Sequence, residues 1–164
     1  MPIEFTENEM VRLPVSFDLP DGLKIKIAEA ITIFSRIENM LIEILWSINN
    51  ADLKAKKKIA RINAKDGLMA LRKFFKPPQN SEIVEAKIWD LANELADERN
   101  LIGHGTWFVD ANGAATVVWH SKFLESDDFV GAEYFPNWRF ERYMKRANFI
   151  LEQLSYTRGI LDPI

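Results

Sequence analysis

Apolar residues recur every three or four positions over three long stretches of the chain, the spacing that places them on one face of an α-helix. In residues 23–50 this face consists of Ile27, Ile31, Phe34, Leu41, Leu45 and Ile48. The same spacing predicts a second helix over residues 81–102 and a last helix over residues 138–159. Helices with one apolar face bury that face against each other, so the pattern favours a helical bundle.

Residues 52–76 also have a helix-forming composition, but we expect a break in the middle of them. Asn63 is followed three residues later by Asp66, the spacing of an N-cap residue and a polar side chain in the first turn of a new helix. Pro77 and Pro78 then end the segment, because proline lacks the backbone N–H that an α-helix needs.

A different periodicity begins after Gly105. Two short runs of alternating apolar residues are separated by Asp110-Ala-Asn-Gly113, a sequence typical of a hairpin turn. We therefore expect a small β-hairpin over residues 106–120, before the last helix. Residues 1–22 are expected to form an extended N-terminal arm, and residues 121–137 an irregular segment.

The predicted fold class is mainly α: an up-and-down bundle of four to five helices, with that hairpin inserted before the last helix. At 164 residues the chain suits a single domain. It contains no cysteine, which excludes disulfides and thiol chemistry. Its start has no basic and apolar leader, and no run approaches the ~18 apolar residues of a membrane span. We therefore expect a cytoplasmic protein without membrane contact.

Two ionisable residues interrupt the apolar faces of the long helices. Glu38 falls within the face of the first helix, and Arg99 falls within the face of the second. Because an unpaired charge is costly to bury, the simplest arrangement is an ion pair in which Glu38 orients Arg99. Alternatively, the Arg99 side chain faces a cleft or a subunit interface. The neighbouring acids Asp97 and Glu98 are expected in solvent.

The residues best suited to catalysis or ligand binding lie at the end of the helix that contains Arg99. Asn100 follows the arginine, and His104 lies between Gly103 and Gly105. Gly103 is expected to end the helix as its C-cap and to display His104 just beyond the helix end. Arginine is suited to phosphate binding and histidine to proton transfer. The simpler interpretation is that the histidine only caps the helix.

The other residues of chemical interest are expected to be structural. His120 is interpreted as an ordinary strand residue, and Trp107, Trp119 and Trp138 as core residues rather than base-stacking platforms. Neither of the two histidines has an acidic or histidine partner at the spacing of helical metal ligands. We therefore expect no metal site and no cofactor.

Although the net charge of the chain is only −3, one segment is strongly basic. Residues 52–76 contain nine lysines and arginines against two aspartates. The basic residues are densest at Lys54, Lys56, Lys57, Lys58 and Arg61. Such a cluster is typical of a surface that binds an anionic partner such as nucleic acid, and equally of the solvated face of an exposed helix.

The stretch Arg99-Asn100-Leu-Ile-Gly-His104, at the end of a bundle helix, resembles the Arg-x4-6-His motif of the HEPN superfamily (higher eukaryotes and prokaryotes nucleotide-binding). In that family a polar residue commonly follows the arginine, as Asn100 does here. The first long helix, with Glu38 inside its apolar face, is similar to the family's first core helix. The resemblance covers residues 23–104 and the last helix, and it implies a homodimer in which two motifs face each other across a cleft.

Many members of the family are metal-independent endoribonucleases, often toxins or defence proteins. The resemblance therefore implies catalytic roles for Arg99, Asn100 and His104, and an antitoxin or other protein as a further partner. In such an enzyme the basic cluster described above would attract the RNA backbone. Other members have lost activity, so the alternative is an inactive bundle that binds a nucleotide, RNA or a protein. The two functions differ in whether Arg99 and His104 open onto a common cleft or are sealed in the core.

Overall fold

The computed structural model of the chain describes residues 3–6, 15–16, 18–74, 82–120 and 129–161. Within these residues the helices are α1 (Asp21–Ile48), α2 (Leu53–Ile59), α3 (Ala64–Phe74), α4 (Glu82–His104) and α5 (Asn137–Leu161). The strands are β1 (Ile3–Thr6), β2 (Val15–Ser16), β3 (Thr106–Asp110), β4 (Ala115–His120) and β5 (Phe129–Tyr134). The prediction of a mainly helical bundle with a hairpin before its last helix is confirmed.

The hairpin belongs to a larger sheet than the sequence predicted. β3 and β4 pair around the expected turn, where Gly113 has a φ of 77° and Asp110 Oδ1 accepts hydrogen bonds from two backbone N–H groups. The full antiparallel sheet has the order β1-β5-β4-β3-β2. The N-terminal arm therefore contributes two edge strands. The expectation of an irregular segment is wrong for residues 129–134, and its first part, residues 121–128, lies outside the described residues.

The chain divides into two compact units, called unit 1 (residues 1–31 and 98–142) and unit 2 (residues 32–97 and 143–164). The helices α1, α4 and α5 each contribute residues to both units. The expected single domain stays a prediction. In the described part of the chain, none of the helices is both long and apolar enough to cross a bilayer.

Unit 2 is helical, and α3 begins at the predicted break. Asn63 Oδ1 accepts a hydrogen bond from the Asp66 backbone N–H at 2.9 Å, which satisfies one of the free donors of the first turn. In the next turn Gly67 is buried against α1, where a Cβ atom would lie 2.7 Å from Leu41 Cδ2. The absence of a side chain there permits close packing of α3 on α1.

Unit 1 contains the sheet and an aromatic core. The Trp107 ring of β3 meets the Phe135 ring edge-on at 5.3 Å between centroids and stacks on the Phe140 ring at 5.6 Å. Trp107 is 8% exposed, so its expected place in the core is confirmed. This cluster lies beside the end of α4, where the candidate chemistry is found.

Candidate functional site

The last turn of α4 ends differently from the sequence prediction. Gly103 is helical and exposed, and the helix runs on to His104, so the expected C-cap at Gly103 is wrong. The chain leaves the helix at Gly105, whose backbone N–H donates to the Leu101 carbonyl at 3.0 Å. A Cβ atom on Gly105 would lie 2.1 Å from Val117 Cγ2, so the strand β4 leaves no room for a side chain. His104 is therefore the final residue of a helix that is pressed against the sheet.

The three predicted catalytic side chains come together in this turn. Arg99 Nη1 lies 3.3 Å from Asn100 Oδ1 and 3.4 Å from His104 Nε2. Arg99 is half-buried, whereas Asn100 and His104 are exposed. A guanidinium group can only donate, so a hydrogen bond between the two groups needs Nε2 as its acceptor. The cluster thus presents a guanidinium and an imidazole side by side at the end of the helix.

Trp107 holds the end of this helix in place. Its indole Nε1 donates a buried hydrogen bond to the Ile102 carbonyl at 3.0 Å. The carbonyl belongs to the last turn of α4, where the helix itself leaves acceptors unsatisfied. The aromatic core therefore satisfies a polar group that would otherwise be costly to bury, and it fixes the backbone two residues before His104.

A buried ion pair lies directly beside the motif, at Glu98. The carboxylate is 8% exposed and its Oε1 lies 2.7 Å from Arg139 Nε of α5 and 3.7 Å from Arg142 Nη2. Arg139 Nη1 in turn lies 2.7 Å from Glu133 Oε2 of β5. Within unit 1, Glu98 is thereby linked through charged groups to α5 and, by way of Arg139, to β5.

The expectation that Glu98 lies in solvent is therefore wrong. A signal for its burial exists in the sequence, because Glu98 lies three residues after Leu95 and four before Ile102, both fully buried. That spacing places it at the border of the apolar face. Asp97, by contrast, is exposed and pairs with Lys65 at 2.5 Å, as expected for a solvated acid.

The predicted ion pair between Glu38 and Arg99 stays a prediction. Glu38 belongs to unit 2, where it is half-buried and lines a small cavity with residues of α1, α3 and the turn before α3. Arg99 belongs to unit 1, where its guanidinium contacts Asn100 and His104.

The predicted RNA-binding residues are all exposed on and just after α2, in unit 2: Lys54, Lys56, Lys57, Lys58 and Arg61. Two of them line an open groove with the exposed Leu53 and with Asp52, the N-cap residue of this short helix. The Lys56 ammonium lies 5.6 Å from the centroid of the Trp46 ring. The cluster is thus a solvent-facing cationic surface, and its role in binding RNA stays a prediction.

One residue assigned to the core lies on the surface. Trp138, at the start of α5, is 58% exposed, so its predicted burial is wrong. The side chains of Trp119 and His120 lie outside the described residues. Across the described ranges, histidine, aspartate and glutamate side chains form no group of three or more that could hold a metal ion.

Comparison with known proteins finds no matching family model, no matching curated protein and no matching solved structure. The support for a function therefore lies in the residues of this cluster and in the resemblance of their motif.

Proposed function

We propose that the protein is a metal-independent endoribonuclease of HEPN type, with an active site formed by Arg99, Asn100 and His104. The proposal rests on one observation: the guanidinium and the imidazole are in contact, at 3.4 Å, on the solvent-facing end of α4. RNA cleavage through the 2′-hydroxyl needs a proton acceptor and a cation close together, and these two groups have that chemistry.

In this reaction His104 acts as the general base. Its Nε2 takes the proton of a ribose 2′-hydroxyl, and the 2′-oxygen forms a bond to the adjacent phosphorus. The bond from phosphorus to the 5′-oxygen breaks, and that oxygen takes a proton from water or from the histidine of a second copy. The products are a 2′,3′-cyclic phosphate and a 5′-hydroxyl end. No redox step or co-reactant is needed.

Arg99 stabilises the charge that develops on the phosphate. Its contact with His104 is longer than the ~2.9 Å usual for N–H donors, so exchanging that contact for phosphate oxygens costs little. A guanidinium binds two phosphate oxygens at once, which both holds the substrate and leaves Nε2 free to accept the proton. Asn100, whose Oδ1 lies 3.3 Å from the same Nη1, orients the guanidinium during this exchange.

The exposed lysines of α2 supply long-range attraction for the RNA backbone in this proposal. A cationic surface raises the association rate of a polyanion without reading its sequence. The toxin or defence role implied by the resemblance requires in addition a protein that restrains the activity, and an antitoxin is the proposed partner.

The proposal is tested by incubating purified protein with single-stranded RNA in the presence of chelator. We expect cleavage that leaves 2′,3′-cyclic phosphate ends. His104→Ala should lower the rate by about 10²- to 10⁴-fold, the contribution of a general base, with the fold retained. The matched control is His120→Ala, which removes the chain's other histidine and should cleave at the parent rate.

Two results would refute the enzyme. One is a parent protein that cleaves no RNA in the presence of chelator, and the other is a His104→Ala variant as fast as the parent. If the parent binds RNA without cleaving it, the catalytically inactive binding module takes the place of the ribonuclease.

A further inference from the structure

Four of the exposed basic residues on and after α2 share one face. Lys54, Lys57 and Lys58 have the three- and four-residue spacing of neighbours on a helix surface. Arg61 continues that spacing in the turn after the helix, where its backbone N–H donates to the Lys58 carbonyl at 3.2 Å. Lys54 and Lys57 line the same open groove, which places them on one side of the helix. These four residues are called the cationic row.

Lys56 belongs to a different face of α2. Its ammonium lies 5.6 Å from the centroid of the Trp46 ring of α1, and Trp46 Nε1 donates a hydrogen bond to the Lys56 carbonyl at 3.2 Å. Ile59, three residues later, is buried. Lys56 is therefore held against α1, outside the cationic row.

The charge of the cationic row is not balanced by nearby acids. Residues 52–61 contain five basic residues and one carboxylate, that of Asp52. Asp52 Oδ1 already accepts a hydrogen bond from the Ala55 backbone N–H at 2.8 Å, as the N-cap of α2. Among the residues that the structure describes, none forms an ion pair with a member of the row.

This arrangement destabilises the free helix. Lys54 has like charges three and four residues later, and Lys57 and Lys58 have Arg61 at the same two spacings. Like charges at these spacings repel each other, whereas a helix face that is only solvated commonly alternates in sign and gains from opposite charges. A bound polyanion would convert the repulsion into attraction. The cationic row thus favours a binding surface over a merely solvated one.

The composition of this face favours a phosphate backbone as the occupant. Lysine is depleted at protein–protein interfaces. A helix that lies on a membrane needs an apolar face toward the lipid, but Ile59 of α2 is buried in the protein and only Leu53 is left exposed. A nucleic-acid backbone needs nothing more than a row of cations that neutralise successive phosphates.

We propose that the cationic row is a contact site for the phosphates of the RNA substrate and binds them without regard to base sequence. The inference rests on the proposed ribonuclease, because it takes that enzyme's substrate as the occupant. It goes beyond long-range attraction, since direct contacts contribute to affinity and not only to the association rate. It also assigns no phosphate contact to Lys56.

The site is tested by the salt dependence of RNA binding in the full chain carrying His104→Ala, so that no substrate is consumed. Fluorescence anisotropy with a labelled oligouridine, and with a single strand of mixed sequence, gives the binding constant at several salt concentrations. Lys57→Gln should reduce the slope of log K against log salt by about 0.7, the value for one lost phosphate contact on a single strand. The reduction should be the same for both RNAs.

The matched control is Lys56→Gln, which removes the same charge from the same helix and should keep the parent slope. Thermal unfolding without RNA provides a second measurement. Lys57→Gln should raise the unfolding midpoint, because it relieves repulsion within the row, while it weakens RNA binding. A substitution that only damaged the fold would lower both.

Equal slopes for Lys57→Gln and the parent would overturn the contact site and leave the ribonuclease intact. An equal reduction by Lys56→Gln and Lys57→Gln would also overturn it, because net charge alone would then explain the binding. Binding to vesicles of anionic phospholipid but not to RNA would replace the proposed occupant by a lipid surface. The expected slopes in a protein that cleaves no RNA would support the contact site and refute the ribonuclease.

Discussion

The two glycines that flank His104 have different roles at the scale of single residues. Gly103 is helical and exposed, and a Cβ atom there would lie 3.8 Å from Arg99 Nη1, an ordinary contact distance. Gly105 lies at the point where the helix meets the sheet, and a Cβ atom there would overlap Val117. Only the second glycine is required by packing.

Alanine substitutions should separate these roles. Gly105→Ala is expected to lower the free energy of unfolding by about 1–3 kcal/mol, because the new methyl group forces β4 or the helix end to move. Gly103→Ala should raise it by about 0.5–1 kcal/mol, because alanine loses less backbone entropy in a helix. Urea denaturation followed by circular dichroism measures both. Equal effects of the two substitutions would contradict the geometry of this helix end.

At the scale of secondary-structure elements, two glutamates of α4 that differ in burial pair with arginines of α5. Glu98, 8% exposed, pairs with Arg139 in unit 1. Glu94 has a side chain that is 64% exposed, and it pairs with Arg146 at 3.3 Å in unit 2. A carboxylate in water gains little from an ion pair, whereas removing one partner of a buried pair leaves the other charge uncompensated.

Glutamine at these two positions provides a matched comparison. Glu98→Gln should lower the free energy of unfolding by about 3 kcal/mol. This is near the lower end of the cost of removing one partner from a buried pair, because Arg139 still pairs with Glu133. Glu94→Gln should lower it by at most about 1 kcal/mol, and salt should remove most of that effect. Thermal or urea unfolding at low and high salt measures both. A Glu98→Gln variant as stable as Glu94→Gln would show that burial of the pair does not decide its strength.

At the scale of the whole molecule, the resemblance implies two copies of the chain. A two-fold axis near the end of α4 would bring two Arg99 to His104 segments together, and the second copy would then supply the proton for the leaving oxygen in place of water. The homodimer is a prediction of the resemblance and of the position of the motif on an exposed helix end.

Sedimentation velocity at micromolar concentration should give the mass of a dimer. Arg99→Asp should shift the protein toward monomer, because it reverses the charge at the proposed interface and removes the contacts of the guanidinium with Asn100 and His104. Lys54→Asp also replaces one cation by one anion but lies on α2, and it should leave the dimer intact. A monomer at all concentrations would rule out the homodimer. A dimer that Arg99→Asp leaves intact would show that the interface lies elsewhere.

Local periodicity and turn chemistry were enough to predict the helices, the break at Asn63 and the turn ending in Gly113. These features depend on interactions between residues close in sequence, such as the bond from the Asp66 N–H to Asn63. The contact of Arg99 with Asn100 and His104 is local for the same reason, since all three residues lie within two turns of one helix. The proximity of these three side chains could therefore be predicted from the sequence alone.

Only the tertiary structure decided which polar residues are buried and where the helix stops. The burial of Glu98 depends on Arg139, 41 residues later in the chain, and the end of α4 depends on Val117 beside Gly105. The strands β1 and β2 likewise gain their hydrogen bonds from distant strands, so their own residues do not predict them. A charge or a strand edge is stabilised by partners that local sequence cannot specify, whereas a helix satisfies its own backbone.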